Sequence, residues 1–265
     1  MFEQLKNLPG PIDLLLDPAS LVVIGIFAAL MAAEELFPGR PLPRIPYWKL
    51  KGLTAFVVYF YLSSYLPLIW NEYLAGFQLM DLSFLGDIGG AAVALLIYEL
   101  GVYVWHRSMH KSNLLWRIFH QMHHSAERVD TYGAFFFSPM DMIGFTFLTS
   151  LALVVAGGFT VQATIYAIYG ATFLAVIQHV NIRTPVWMGY IVQRPESHSV
   201  HHATGIHAHN YSDLPLFDLI FGTFHNPKDF ATETGFYTGA SSRLGDMLLF
   251  RDINEAEGTA EPNNH

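Results

Sequence analysis

The chain reads as an all-α integral membrane protein with four membrane-spanning helices, residues 21–37 as a candidate fifth, and a cytosolic helical cap that holds clustered histidines. Three observations predict this. Of 265 residues, 52% are apolar and only 14% charged, against about 25% charged in an average soluble domain. The apolar residues gather in long uncharged runs, and thirteen histidines stand against no cysteine. The absence of thiol excludes thiolate-ligated haem, iron–sulfur clusters, disulfides and Cys-type zinc sites together, so any metal chemistry must use imidazole or carboxylate. A net charge of −8 leaves no basic excess for phosphate backbones, so nucleic acid is not an expected partner. So apolar a composition also argues against a disordered chain.

In chain order, Met1 to Ser20 mixes Lys6 with Glu3, Asp13, Asp17 and several prolines, which is not the basic n-region of a cleaved signal peptide. Leu21 to Phe37 is a weak span, because Glu34 and Glu35 shorten its apolar run to a length at which a re-entrant or interfacial helix competes. Leu53 to Trp70 carries no charge, and Ile88 to Trp105 is interrupted only by Glu99; both approach the ~20 residues that cross ~30 Å of hydrocarbon. Met142 to Ile182 contains no Asp, Glu, Lys or Arg. As one helix it would run ~60 Å, about twice the bilayer, so a hairpin is expected. Gly157-Gly158 is its natural turn.

Charge placement orients these segments, since cytoplasmic loops carry the Lys and Arg excess. Pro38 to Lys51 holds Arg40, Arg44, Lys49 and Lys51 and no acid, whereas Asn71 to Asp87 holds Glu72, Asp81 and Asp87 and no base. The first is then inside and the second outside. Alternation from there places every Lys and Arg except Lys6 on the cytosolic side, together with nearly every histidine. The expected organisation is an N-terminal membrane region over residues 1–87, a histidine-bearing region over 88–251, and an acidic mobile tail over 252–265. No dilysine or Lys-Asp-Glu-Leu signal ends the chain, which favours a bacterial cytoplasmic membrane over endoplasmic reticulum.

The histidines fall into four groups: His106-x-x-x-His110, His120-x-x-His123-His124, a single His179, and His198-x-x-His201-His202. On a helix, residues three and four apart lie about 60° and 40° from eclipsed, so each cluster can aim two or three imidazoles at one point. His106 ends the third span and His179 the fifth, which delivers both to one interface. A lone His-x-x-x-His is weak evidence. Two copies of His-x-x-His-His are not, because a core or surface reading would have to find partners for five further buried rings. Nine imidazoles exceed what one four- to six-coordinate ion uses, and two ions are the economical reading. His207 and His209 are open to three readings: further ligands, substrate-facing groups or solvated loop residues. His225 and His265 read as structural or solvent-exposed.

The ordered string of Tyr98-Glu99, His106-Arg107-x-x-His110, Leu115-Trp116, His120-x-x-His123-His124-Ser125, His179-x-Asn181, His198-x-x-His201-His202, Asn210-Tyr211 and Asp218-x-x-Phe221-Gly222-Thr223 resembles the fatty acid hydroxylase superfamily, also called the sterol desaturase family. The resemblance runs from about Tyr98 to Phe224, nearly half the chain. It implies an all-helical membrane enzyme with a histidine-ligated di-iron centre at the cytosolic face, dioxygen as co-substrate, and no haem. By the resemblance, the iron ligands are His106, His110, His120, His123, His124, His179, His198, His201 and His202. The chain departs from the pattern at one place. Several fatty-acyl hydroxylases of the family carry a further histidine about four residues after the position of His179, and here Arg183 stands there. Either one metal completes its shell with water, or His207 or His209 fills the gap.

Glu99 lies seven residues before His106, about 20° away on the same helical face. It is a candidate to accept the second N–H of a ligand imidazole, the competing reading being an interfacial acid paired to a base. Asp213 and Asp218 are further candidates of the same kind. Phe135-Phe136-Phe137 fits a lipid tunnel or a row of interface anchors. The reading that follows is a lipid hydroxylase acting on an unactivated C–H bond, with lipid or sterol desaturation on the same centre as the alternative. A metal-ion transporter would place ligands near the bilayer midplane on broken helices, and a bis-histidine cytochrome would need facing pairs within helices. No flavin, dinucleotide or haem motif supplies electrons, so an external reductase or small redox protein is the expected partner.

Overall fold

The computed structural model describes residues 8–256, and among them the fold is all-helical, with one isolated bridge between Ala203 and Thr234 in place of any sheet. A short helix, Pro11–Leu16, leads into α1 (Pro18–Leu36), α2 (Trp48–Ala75) and α3 (Gly86–Lys111, entered through the turn Ser83–Leu85). The turns Asn113–Leu115 and Trp116–His120, the latter a π-turn, then deliver α4 (Gln121–His124). The hairpin follows as α5 (Pro139–Ser150), continued by a π-turn over Leu151–Ala156, and α6 (Val161–Ile177). Beyond it lie α7 (Pro195–His201), α8 (Pro215–Phe221) and a final short helix, Leu244–Leu248.

Four of these elements are long and apolar enough to cross a membrane: Pro18–Leu36, Trp48–Ala75, Ser83–Lys111 and Pro139–Ala156. The helix expected to be weakest is therefore, at 19 residues, long and apolar enough to cross. Asp17 caps it, its side chain accepting the Ala19 N–H, and Pro18 opens its first turn. Its two acids do not shorten it because both have partners. Glu34 is buried and accepts from the Thr131 N–H, the Thr131 hydroxyl and the Asn181 N–H. Glu35 pairs with Lys49. Counting charges had treated both acids as costs to solvate, whereas one carboxylate with three donors is an anchor. The hairpin turns where its glycines stand, with α5 and its π-turn ending at Ala156 and Thr160 capping α6. Its tip is tied to the preceding loop through Leu79 N–H to Val155 O and Gly158 N–H to Met80 O. At 17 residues, α6 is the shorter arm.

The N-terminal helices and the histidine-bearing region share one core. Phe27 of α1 stacks on Phe56 of α2 at 4.2 Å and meets Phe135 at 5.9 Å. Gly52 sits where α2 crosses the 124–138 loop, and a Cβ there would stand 2.1 Å from the Tyr132 carbonyl oxygen; only glycine permits that approach. The tail expected from Asp252 starts anchored. Ile253 is fully buried and Asn254 accepts the Trp116 indole N–H, while residues 257–265, His265 among them, lie outside the described residues.

Candidate metal centre

At one end of the bundle nine buried or nearly buried histidines meet in two groups. The first joins His106 and His110 from the last turns of α3, His120 from the π-turn, His124 from α4 and His201 from α7. The second joins His123 from α4, His179 just past α6, His198 from α7 and His202 at the C-cap of α7. Neighbours in sequence diverge because successive helical residues point about 100° apart. His123 and His124 thus serve different groups, as do His201 and His202. The groups abut, with the His124 and His202 rings stacked at 4.0 Å.

In the first group the Nε2 atom of His106 lies 2.9 Å from that of His120, 3.0 Å from that of His201 and 3.1 Å from that of His110. In the second, His179 Nε2 lies 2.9 Å from His198 Nε2 and 3.1 Å from His123 Nε2, and the Nε2 atoms of His198 and His202 are 3.0 Å apart. The far nitrogens fix which of these atoms carry protons. His106 Nδ1 donates to the Tyr211 carbonyl at 2.8 Å, His110 Nδ1 to the His207 carbonyl at 2.8 Å, and His201 Nδ1 to the His209 carbonyl at 2.6 Å. His120 Nδ1 donates to the Asp141 carboxylate at 2.8 Å, and His179 Nδ1 to the Ala175 carbonyl at 2.7 Å. A carbonyl or an ionised carboxylate only accepts, so these five Nδ1 atoms hold the proton and each of the five neutral rings turns a bare lone pair inward. Burial, and after it the neighbouring imidazoles, holds His120, His123, His124, His198, His201 and His202 well below the usual histidine range. Burial likewise brings His179 down to about 4.

Lone pairs facing one another at such spacing repel unless a cation lies among them. Two nitrogens bound at right angles to one ion through bonds of about 2.1 Å stand about 3 Å apart, which is the spacing present. The buried His124 Nε2 and the Nδ1 atoms of His123, His198 and His202 have no hydrogen-bond partner. All of this fits a metal-binding donor set of five nitrogens in one group and four in the other.

Three of these four carbonyls, those of His207, His209 and Tyr211, belong to one strained loop. His207, His209 and Asn210 hold left-handed backbone angles, φ 41°, 70° and 50°, a conformation that costs non-glycine residues about 1–3 kcal/mol each. The loop is held from several sides. Asp218 accepts the Tyr211 and Ser212 N–H groups, Asn210 Nδ2 donates to the His225 carbonyl, and Glu99 Oε2 accepts from the Ser212 hydroxyl and the Asp213 and Leu214 N–H groups. Glu99 therefore touches no imidazole, contrary to the sequence expectation; it clamps the loop that carries the Tyr211 carbonyl. The carboxylate that does face a histidine is Asp141, which the sequence reading passed over. Its one signal was position, a lone acid in the first turn of a helix opening on Ser138-Pro139. Asp213 binds Gln178 Nε2 rather than a histidine, and burial raises it to about 6.

His207 and His209 belong to neither group. His207 meets the five-histidine group, its Nδ1 3.0 Å from His124 Nδ1. The His209 ring faces His225. Arg183 turns outward to Asp229. On the membrane side, a cavity of about 320 Å³ runs between α1, α2, α5 and α6, with Tyr59, Tyr98, Phe135 and Ala175 in its wall. Phe137 stands between that wall and the histidines, 6.1 Å from the Tyr59 ring and 4.5 Å from the His123 ring. Phe136 instead packs on Trp48.

Fold and site define a class, an all-helical chain of membrane-spanning length whose buried histidines gather at one end. The chain belongs to the fatty acid hydroxylase family, whose model matches residues 91–223, half of its length. It is similar to an ornithine lipid hydroxylase of Rhizobium tropici, 30% identical over 142 residues that make up 51% of this chain and 41% of the relative. A very-long-chain aldehyde decarbonylase of Oryza sativa is 31% identical over 52% of this chain and 25% of the relative. A Delta(7)-sterol-C5(6)-desaturase of Nicotiana tabacum is 28% identical over 60% and 58%. The chain thus spans from a quarter to under two thirds of these relatives. No solved structure matches it.

Proposed function

We propose that the chain is a membrane-bound di-iron oxygenase that hydroxylates an unactivated C–H bond of a lipid, drawing electrons from an external reductase or small redox protein. The observation that carries this is the double set of buried histidine nitrogens, five in one group and four in the other, gathered within 4.8 Å of one another in each group. His106, His110, His120, His124 and His201 would hold one iron, and His123, His179, His198 and His202 the other. Two bound irons would supply the capacity to reduce dioxygen with two external electrons and two protons, one oxygen atom entering the C–H bond and the other leaving as water. Imidazole donors suit iron. Asp141 and the carbonyls of His207, His209 and Tyr211 fix the tautomer and direction of four of the rings, the supporting role that second partners play at metal sites. His207 would act through His124 and through its own carbonyl rather than as a ligand. The cavity receives the lipid from within the bundle, and Phe137 limits how far it advances. The histidine end would face the cytosol, in a bacterial cytoplasmic membrane, as the Lys and Arg distribution supports.

The relatives differ in reaction, and the similarity to a desaturase favours a second reading in which a second hydrogen is lost instead of oxygen being retained. Lipids from expressing cells grown under isotope-labelled dioxygen separate the two by mass spectrometry. Hydroxylation places label in a lipid, desaturation gives an unlabelled product lighter by two hydrogens, and no difference from cells carrying His201→Ala refutes both.

A further inference from the structure

Outside the spanning helices, the turn Val186–Tyr190 and helix α8 are built inside out. The turn and the residue after it contain no charged side chain, yet Trp187, Tyr190 and Ile191 are 64%, 62% and 59% exposed. In α8 the acid points inward, Asp218 being fully buried on the backbone of Tyr211 and Ser212, while Leu219, Ile220 and Phe221 are 46–61% exposed. A soluble surface does the reverse, and contiguous exposed apolar patches mark a contact surface.

The place of the patch identifies what it contacts. The Phe221 ring stacks on Tyr103 of α3 at 4.9 Å and 22°. Next to Tyr103, Val104 ends an exposed apolar stripe with Leu96 and Leu100, each four residues apart along a helix of membrane-spanning length. The turn meets the chain just beyond α8 through Tyr190 and Phe224, 5.6 Å between rings. The patch therefore continues the lipid-facing side of α3 past the end of its apolar run. One turn beyond Tyr103, Arg107 donates to the Tyr103 hydroxyl at 2.7 Å and sets a cation at headgroup level, where Trp and Tyr also concentrate.

We infer that the turn and α8 lie in the bilayer leaflet on the histidine side, as an interfacial platform in addition to the spans, and that their partner is the lipid itself. The platform is coupled to the site: Asp218 of α8 holds the Tyr211 N–H, and the Tyr211 carbonyl accepts from His106. The inference stands apart from the metal reading and from the identity of any substrate.

The cysteine-free chain permits a direct test. Trp187→Cys and Ile220→Cys are each spin-labelled in phosphatidylcholine–phosphatidylglycerol vesicles, with Leu100→Cys as the span reference and Lys228→Cys as the aqueous one. All four side chains are exposed, so none of these substitutions empties a buried position. The expected result is that both patch labels collide with dissolved oxygen several-fold more than with a water-soluble nickel chelate, as the Leu100→Cys label does. Chelate access equal to that of the Lys228→Cys label overturns the inference. So does exclusion of both reagents together with spin–spin coupling between chains, which would assign the patch to a second copy.

Discussion

Asp141 offers the sharpest test of how the histidines are oriented. Its carboxylate accepts a hydrogen bond from the His120 Nδ1–H at 2.8 Å with both side chains buried, whereas His106, His110 and His201 donate theirs to neutral carbonyls. Asp141→Asn keeps an acceptor but removes the charge. A hydrogen bond to a charged group contributes about 1.5–3 kcal/mol against about 1 for a neutral pair, so the loss is about 1 kcal/mol, or ~5-fold in affinity. Asp141→Ala leaves a buried N–H without an acceptor, a cost of about 1–3 kcal/mol. That corresponds to a ~5- to 150-fold loss centred near 30-fold, in line with what loss of a ligand's supporting partner does at metal sites. The helix cap survives both changes, since Ser138 Oγ accepts the backbone N–H of residue 141. Anaerobic metal titration of purified protein against a competing chelator reads the effect. It should weaken the binding step of the five-histidine group and leave that of the four-histidine group in place. Equal affinities for wild type and both variants, or weakening confined to the other step, would refute the reasoning.

Two further outcomes follow from the same geometry. Phe137→Ala removes the ring between the cavity and His123 while leaving every histidine in place, so metal content should hold and the oxidised carbon should shift along the lipid; unchanged position by tandem mass spectrometry would contradict the barrier role. In the metal-free folded chain, burial holds His179 and His207 at about 4, below the about 6.5 of a free imidazole. The unfolded chain then binds more protons between those values, so stability is full above about pH 7 and falls as pH drops toward about 4. Thermal unfolding in detergent after chelation reads this, and a midpoint that does not fall on acidification contradicts it.

Much of the site is visible in the residues, because ligand identity and helical spacing are both written in the chain. Eight of the nine histidines come together as their i, i+3 and i, i+4 spacings suggest, and His179 joins them from the end of α6. Their division into groups is not visible. It depends on how α4 and α7 are rotated against α3, which sends His123 and His124, or His201 and His202, to different groups. The supporting partners are harder still. Four of them are backbone carbonyls, which every residue has; that of Ala175 belongs to α6, and the other three turn inward only because His207, His209 and Asn210 adopt angles that no side chain announces. Glu99 and Asp141 are both lone acids beside apolar runs, and only packing assigns the loop to one and His120 to the other. Glu34 misled for a related reason, since hydropathy counts a charge but not the three donors that neutralise its cost.

Metal stoichiometry tests the central claim most directly. Protein purified from iron-replete cells should carry about two irons per chain, with His201→Ala and His198→Ala each retaining about one, in different groups. A single iron in wild-type protein, or full activity without metal, would contradict the two-metal account.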